Sequence, residues 1–161
     1  MWLLRRAHEA GAAFTVHLSA GEGGTRMPRT QFRWQGLEGE ALIDAARREM
    51  AGVGVDDELM VAAFAELIEP GVSGVNFGSP TQRLGQGLRA LMRYTRGRRL
   101  AIFIDDVHME PELMELIGGV AGSPLPALFV LSVAERGPQD PSTLALNRLL
   151  GRPATRLLEL S

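Results

Sequence analysis

Two stretches of this chain are apolar at nearly every position, Leu100–Ile104 and Ala127–Ser132, the second ending on a hydroxyl. A third stretch, Phe14–Leu18, is apolar only at alternate positions, with Phe14, Val16 and Leu18 separated by Thr15 and His17. A continuous apolar run of four to eight residues marks a strand buried on both faces, and strict alternation marks a strand with one more polar face. The first two stretches therefore read as inner strands and the third as an edge strand. Arg156–Leu160 reads as a last strand.

Helical spacing fills the intervals. Met1–Ala10 carries Leu3, Leu4 and Ala7 and is followed by Gly11, with no capping residue before it, so it reads as a helix already under way. Leu37–Met50 places Leu42, Ala45, Ala46 and Met50 on one face. Asp56 or Asp57 caps a second helix bearing Leu59, Met60, Ala63, Phe64, Leu67 and Ile68, which stops before Pro70. Ser79-Pro80 starts a third, with Leu84, Leu88, Leu91 and Met92, ending near Gly97. Pro111 opens a fourth that runs to Gly118-Gly119, and Asp140-Pro141 a fifth through Leu150. Ser19–Gly36, Gly71–Gly78 and Ser123–Pro126 read as loops. Strands alternating with helices predict right-handed crossovers and a mainly parallel sheet in a three-layer α/β/α fold, in one domain spanning residues 1–161.

Composition narrows the chemistry. The chain has no Cys, which excludes disulfides, zinc-thiolate sites and Cys nucleophiles and fits a cytoplasmic location. A net charge of −2 gives no general attraction to nucleic acid or to a membrane surface. No apolar run approaches the roughly 18 residues of a membrane span. All 17 basic residues are Arg, and the absence of Lys excludes a phosphate loop of the form G-x-x-x-x-G-K-[ST]. Gly21-Glu22-Gly23-Gly24 is glycine-rich, lacks that Lys and leads into a polar loop, so it does not read as a phosphate cradle.

The candidate chemistry sits where Leu100–Ile104 ends, at Asp105-Asp106. The C-terminal ends of strands in open parallel sheets form the ligand crevice. There a first acid can hold Mg²⁺ against nucleotide phosphates and a second can position the attacking water. Asp105 is thus the candidate metal residue and Asp106 the candidate catalytic one. Ser132 ends the neighbouring strand and could lie beside the γ-phosphate; Arg136 could reach a phosphate from the next loop; His108 lies two residues beyond the acids. Each has a plainer reading. Asp-Asp is common in strand-end turns, Ser132 can satisfy backbone, Arg136 can be a solvated loop residue and His108 can shape its loop. A metal site built from Asp105, Asp106 and His108 is a further alternative. His8 and His17 read as surface or groove residues.

Ile104-Asp105-Asp106-Val107-His108, followed by Phe129–Arg136 and by Arg156–Leu160, resembles the signalling ATPases with numerous domains (STAND), relatives of the AAA+ group. In that family an apolar strand leads into Asp-Asp-x-His, a later strand ends in a small hydroxyl residue with an Arg soon after, and an Arg-x-Leu-x-Leu strand follows. The resemblance covers Leu84–Ser161. It implies a sheet order of 5-1-4-3-2, in which Phe14–Leu18 is edge strand two and the central first strand, with its phosphate loop, is missing. Arg136 stands four residues after Ser132, where the family usually has two.

The resemblance implies an incomplete P-loop NTPase fold. It implies the ATP- and Mg²⁺-binding core of a signalling or transcription-regulatory switch, an ATPase in the intact parent. His108, Ser132 and Arg136 would then be nucleotide-binding residues. Regulatory domains or protein partners are expected, with a homo-oligomer compatible and no direct nucleic-acid or membrane contact. The alternative is a catalytically inactive interaction module on a degenerate nucleotide-binding fold.

Overall fold

Three strands pair side by side in the order β1-β2-β3, and both pairings are parallel. The computed structural model that shows this describes residues 5, 6, 9, 14–20, 26–121, 127–134, 137–153 and 155. The strands are β1 (Phe14–Ser19), β2 (Leu100–Asp105) and β3 (Ala127–Leu131). Helices α1 (Gly39–Gly52), α2 (Glu58–Glu66) and α3 (Pro80–Tyr94) join β1 to β2, α4 (Pro111–Ala121) joins β2 to β3, and α5 (Pro141–Leu150) follows. Parallel neighbours need such helical crossovers. The result is a mixed α/β fold in which Leu100–Ile104 lies between the other two strands, as its uninterrupted apolarity required.

The register aligns Phe14 with Leu100 and Ser19 with Asp105 on one side of β2, and Leu100 with Ala127 and Ile104 with Leu131 on the other. Side chains alternate along each strand, so Val16, Leu18, Leu100, Ile102 and Ile104 share a face. All five are buried. They belong to one core with Leu42 and Met50 of α1, Phe64 of α2, Leu91 of α3 and Met114 of α4. Phe14, Phe32, Trp34, Phe64 and Tyr94 form an aromatic group within it, with ring centroids between 4.9 and 6.0 Å apart. Helices α2 and α3 approach closely at Gly87, where a Cβ would stand 2.5 Å from the Leu67 side chain and 3.2 Å from the Ala63 carbonyl oxygen.

The helix starts follow the sequence. Asp57, rather than Asp56, caps α2 by accepting from the amides of Leu59 and Met60 at 2.8 and 3.3 Å. Ser79 accepts from Gln82 N at 3.1 Å, and Asp140 from Ser142 N at 2.8 Å. Each such cap contributes about 1 kcal/mol.

Several expectations need correction. Leu59, one of the apolar residues that the spacing places on α2, is 45% exposed, because the core side of that helix is already filled by Val61, Phe64 and Ala65. Ala127–Ser132 is not buried on both faces: the strand ends at Leu131, Leu128 is 58% exposed, and Phe129, Val130 and Leu131 are only half-buried. His17, expected at the surface or in a groove, is half-buried: its ring lies 5.2 Å from that of Phe103, and its Nε2 is buried without a hydrogen-bond partner among the described residues. The Ser19–Gly36 loop holds a 3₁₀ turn at Arg29–Gln31. Of Met1–Ala10, Arg5, Arg6 and Glu9 are helical, and the rest lies outside the described residues, as do His8 and Arg156–Leu160. No helix among the described residues is long and apolar enough to cross a membrane.

Candidate functional site

Parallel pairing brings the C-terminal ends of all three strands to one edge of the sheet. At the end of β2 the chain turns at once. Asp106 takes the left-handed conformation, φ 53 and ψ 33, and a 3₁₀ turn over Val107–Met109 follows. Asp and Asn tolerate that conformation better than other residues with a Cβ, because their short polar side chains bond locally. The two acids therefore leave the strand in different ways: Asp105 still belongs to the sheet and is half-buried, whereas Asp106 is exposed.

Ser132 is clamped against this turn. Its amide donates to Ile104 O at 2.9 Å, and its carbonyl accepts from Val107 N at 3.1 Å. Its hydroxyl donates a hydrogen bond to Asp105 Oδ1. The Asp106 amide, in turn, donates to both Asp105 Oδ1 and Ser132 Oγ at 3.1 Å. A serine hydroxyl has one proton. With that proton on Asp105, Ser132 acts here as a positioner of the carboxylate. These bonds fall on Oδ1 and fix the plane of the Asp105 carboxyl.

His108 serves the same edge from the loop. Its Nδ1 accepts from Ala134 N at 3.3 Å, tying the turn after β2 to the segment after β3. A neutral ring bonded this way carries its proton on Nε2. Asp105, Asp106 and Ser132 thus come together by hydrogen bonds, as their positions at two strand ends implied, and His108 sits beside them on the turn, bonded to Ala134. They do not form a three-donor metal site: among the described residues no group of three or more His, Asp or Glu side chains converges. Arg136 lies outside the described residues.

No family model matches this chain, and no curated protein and no solved structure matches it. The site rests on its own geometry.

Sequence reasoning overlooked the β1 side of that edge. Ser19 is in register with Asp105, and Ala20 N donates to Asp105 O at 3.1 Å. Ser19 and Arg26 exchange backbone hydrogen bonds at 2.9 and 3.0 Å, which returns the chain antiparallel beside the strand end. Both line a cleft of about 350 Å³ with Arg29 and Glu69, which form an ion pair at 2.6 Å. The available signal was positional: Ser19 follows an alternating strand, and the next loop is rich in Gly and Arg.

Chemically, the edge offers one carboxylate held in a fixed plane and a second that is exposed on a constrained turn. The first suits a divalent cation, directly or through water, and the second suits a water molecule or a cation-bound ligand.

Proposed function

We propose that this chain carries the metal- and water-handling half of an ATP-dependent switch of the signalling ATPase type, in an incomplete P-loop NTPase fold. The observation that supports it is the hydrogen bond from Ser132 to Asp105 across adjacent parallel strands, at the edge where such sheets bind ligands. The observed order β1-β2-β3 corresponds to the 2-3-4 side of the sheet that the resemblance implies. Among the described residues β3 has a neighbour only on its β2 side, which leaves an edge to which a first, central strand could add.

In this reading Asp105 holds Mg²⁺ and Asp106 positions the attacking water. Ser132 and His108 keep that edge rigid, and Arg136 reaches a phosphate. Bound Mg-ATP would supply the reacting phosphoryl group and the charge of the metal. The donor set fits the metal side of such a ligand. It does not fit the phosphate side, because 161 residues without a Lys contain no phosphate loop. That loop has to come from another segment or another chain, and hydrolysis would reset a conformational state in the assembled protein.

The absent Lys also favours the second reading, an inactive interaction module. Calorimetric titration and steady-state turnover separate the two. The 161-residue chain should show no low-micromolar affinity for Mg-ATP. Joined to a strand and phosphate loop, it should bind and hydrolyse ATP. There Asp106→Asn should keep binding and slow turnover on the order of 10²–10⁴-fold, and Asp105→Asn should weaken the Mg²⁺-dependent part of binding. Near-wild-type behaviour of both variants would return Asp105-Asp106 to a strand-end turn and leave the interaction module standing.

A further inference from the structure

We propose that the cleft between α1 and α2 is a docking groove for a basic amphipathic helix of a partner protein. The cleft is open to solvent, has a volume of about 680 Å³ and shares no residue with the strand-end cluster, so this inference stands apart from the nucleotide reading. Its apolar lining comes from Ile43 of α1, Leu59 and Ala62 of α2, and Val72 and Val75 of the following turn. Leu59 and Val75 are 45% and 41% exposed and line the same cleft, and a contiguous exposed apolar patch rimmed by polar residues marks an interaction surface.

The rim carries the sign. Among the described residues that line it, Glu40, Asp44 and Glu58 stand against a single cation, Arg47. Arg47 is committed to Glu58 by two hydrogen bonds at 3.1 Å and is also paired with Asp44. The exposed surface of the groove is therefore net acidic, and an acidic or neutral partner would leave that charge uncompensated. A partner helix with apolar anchors at i, i+3 or i+4 and i+7, flanked by Arg or Lys, matches both the floor and the rim.

The wall of the groove is built before any partner arrives. Glu66, at the end of α2, is 2% exposed, and a buried carboxylate is costly unless donors satisfy it. It accepts from Gly71 N at 2.6 Å, Ser73 N at 3.0 Å and Ser73 Oγ at 2.6 Å. Those bonds fasten the turn that carries Val72 and Val75, with Gly71 and Gly74 at φ 89 and 65. Preorganisation of this kind removes part of the ordering cost of binding.

The probe is a synthetic helical peptide of about four turns, with leucines at i, i+4 and i+7 and flanking arginines. Its control replaces every Arg by Glu. Titrated into the isotope-labelled chain, the Arg peptide should shift the amide resonances of Ile43, Leu59 and Val75, and the Glu peptide should bind at least tenfold more weakly. Glu40→Arg, on the exposed start of α1, should weaken the Arg peptide about fivefold, and 0.5 M salt should weaken it further. Leu59→Gln should weaken it with the charge unchanged. Equal affinity for the two peptides, a footprint away from the groove, or an unaffected Glu40→Arg variant would overturn the proposal. So would the same shifts appearing without peptide as the chain is concentrated, which would assign the groove to a second copy.

Discussion

β2 and β3 are built from almost the same material, Leu-Ala-Ile-Phe-Ile and Ala-Leu-Phe-Val-Leu, yet they are buried very differently. Leu100, Ala101, Ile102 and Ile104 of β2 are all at most 5% exposed. No residue of β3 is buried to that degree, and Leu128 is 58% exposed. β2 is flanked by a strand on each side, whereas β3 has only β2 beside it among the described residues. Apolar sequence states how much surface a strand needs to bury. Its place in the sheet decides how much it does bury, and the shortfall on β3 measures what a further layer or strand would supply.

Truncations along the two strands test this contrast. Ile102→Ala, which opens a cavity in the middle of the core, should cost about 3 kcal/mol, read from urea unfolding midpoints. A loss below about 1 kcal/mol would mean that the centre of β2 is less tightly packed than its burial indicates. Ser132→Ala removes the side chain that ties the end of β3 to Asp105, and should cost about 1–2 kcal/mol by the same assay.

Tyr94 reports on the shared core beneath β1. Burial, then the nearby Glu49 carboxylate and the hydrogen bond to it, raise its phenol above the ordinary value of 10.0. The folded state thus keeps the proton longer than the unfolded state does, so this stabilisation is complete below pH 10 and is lost as pH rises through the folded value. Tyr94→Phe should cost under about 1 kcal/mol at neutral pH and should flatten the decline above pH 10, followed by unfolding at stepped pH. An unchanged alkaline slope would show that the phenol is not held in this way. Leu128→Ala should have the smallest effect, about 0.5 kcal/mol or less, and a cost equal to that of Ile102→Ala would abolish the contrast.

Much of the fold was legible because periodicity, caps and length agree. Phe14–Leu18, Leu100–Ile104 and the caps at Ser79 and Asp140 are local signals, and the local structure obeys them. The burial of Leu59 and Leu128 was not legible, since it depends on which neighbours compete for the core, and these come from distant parts of the chain. The meeting of Asp105 with Ser132 could be anticipated from two strand ends in one sheet. The hydroxyl's donation to Asp105, and the amide of Asp106 bonding back to both residues, were not legible, because Asp tolerates a left-handed φ without requiring it and Arg33 and Arg96 adopt one as well. Ser19 and Arg26 escaped notice for a similar reason: a two-way backbone bridge is indifferent to side-chain type.

The register also fixes an order of events in folding. Leu100 pairs with Ala127 on one side and with Phe14 on the other, so the second pairing encloses roughly three times as much chain as the first. Closing the longer loop costs about 1 kcal/mol more in chain entropy. The β2-α4-β3 unit should therefore form early, with β1 zipping onto a preformed edge. In pulse-labelling hydrogen exchange, the amides of β2 that bond to β3 should gain protection before the amides of β1.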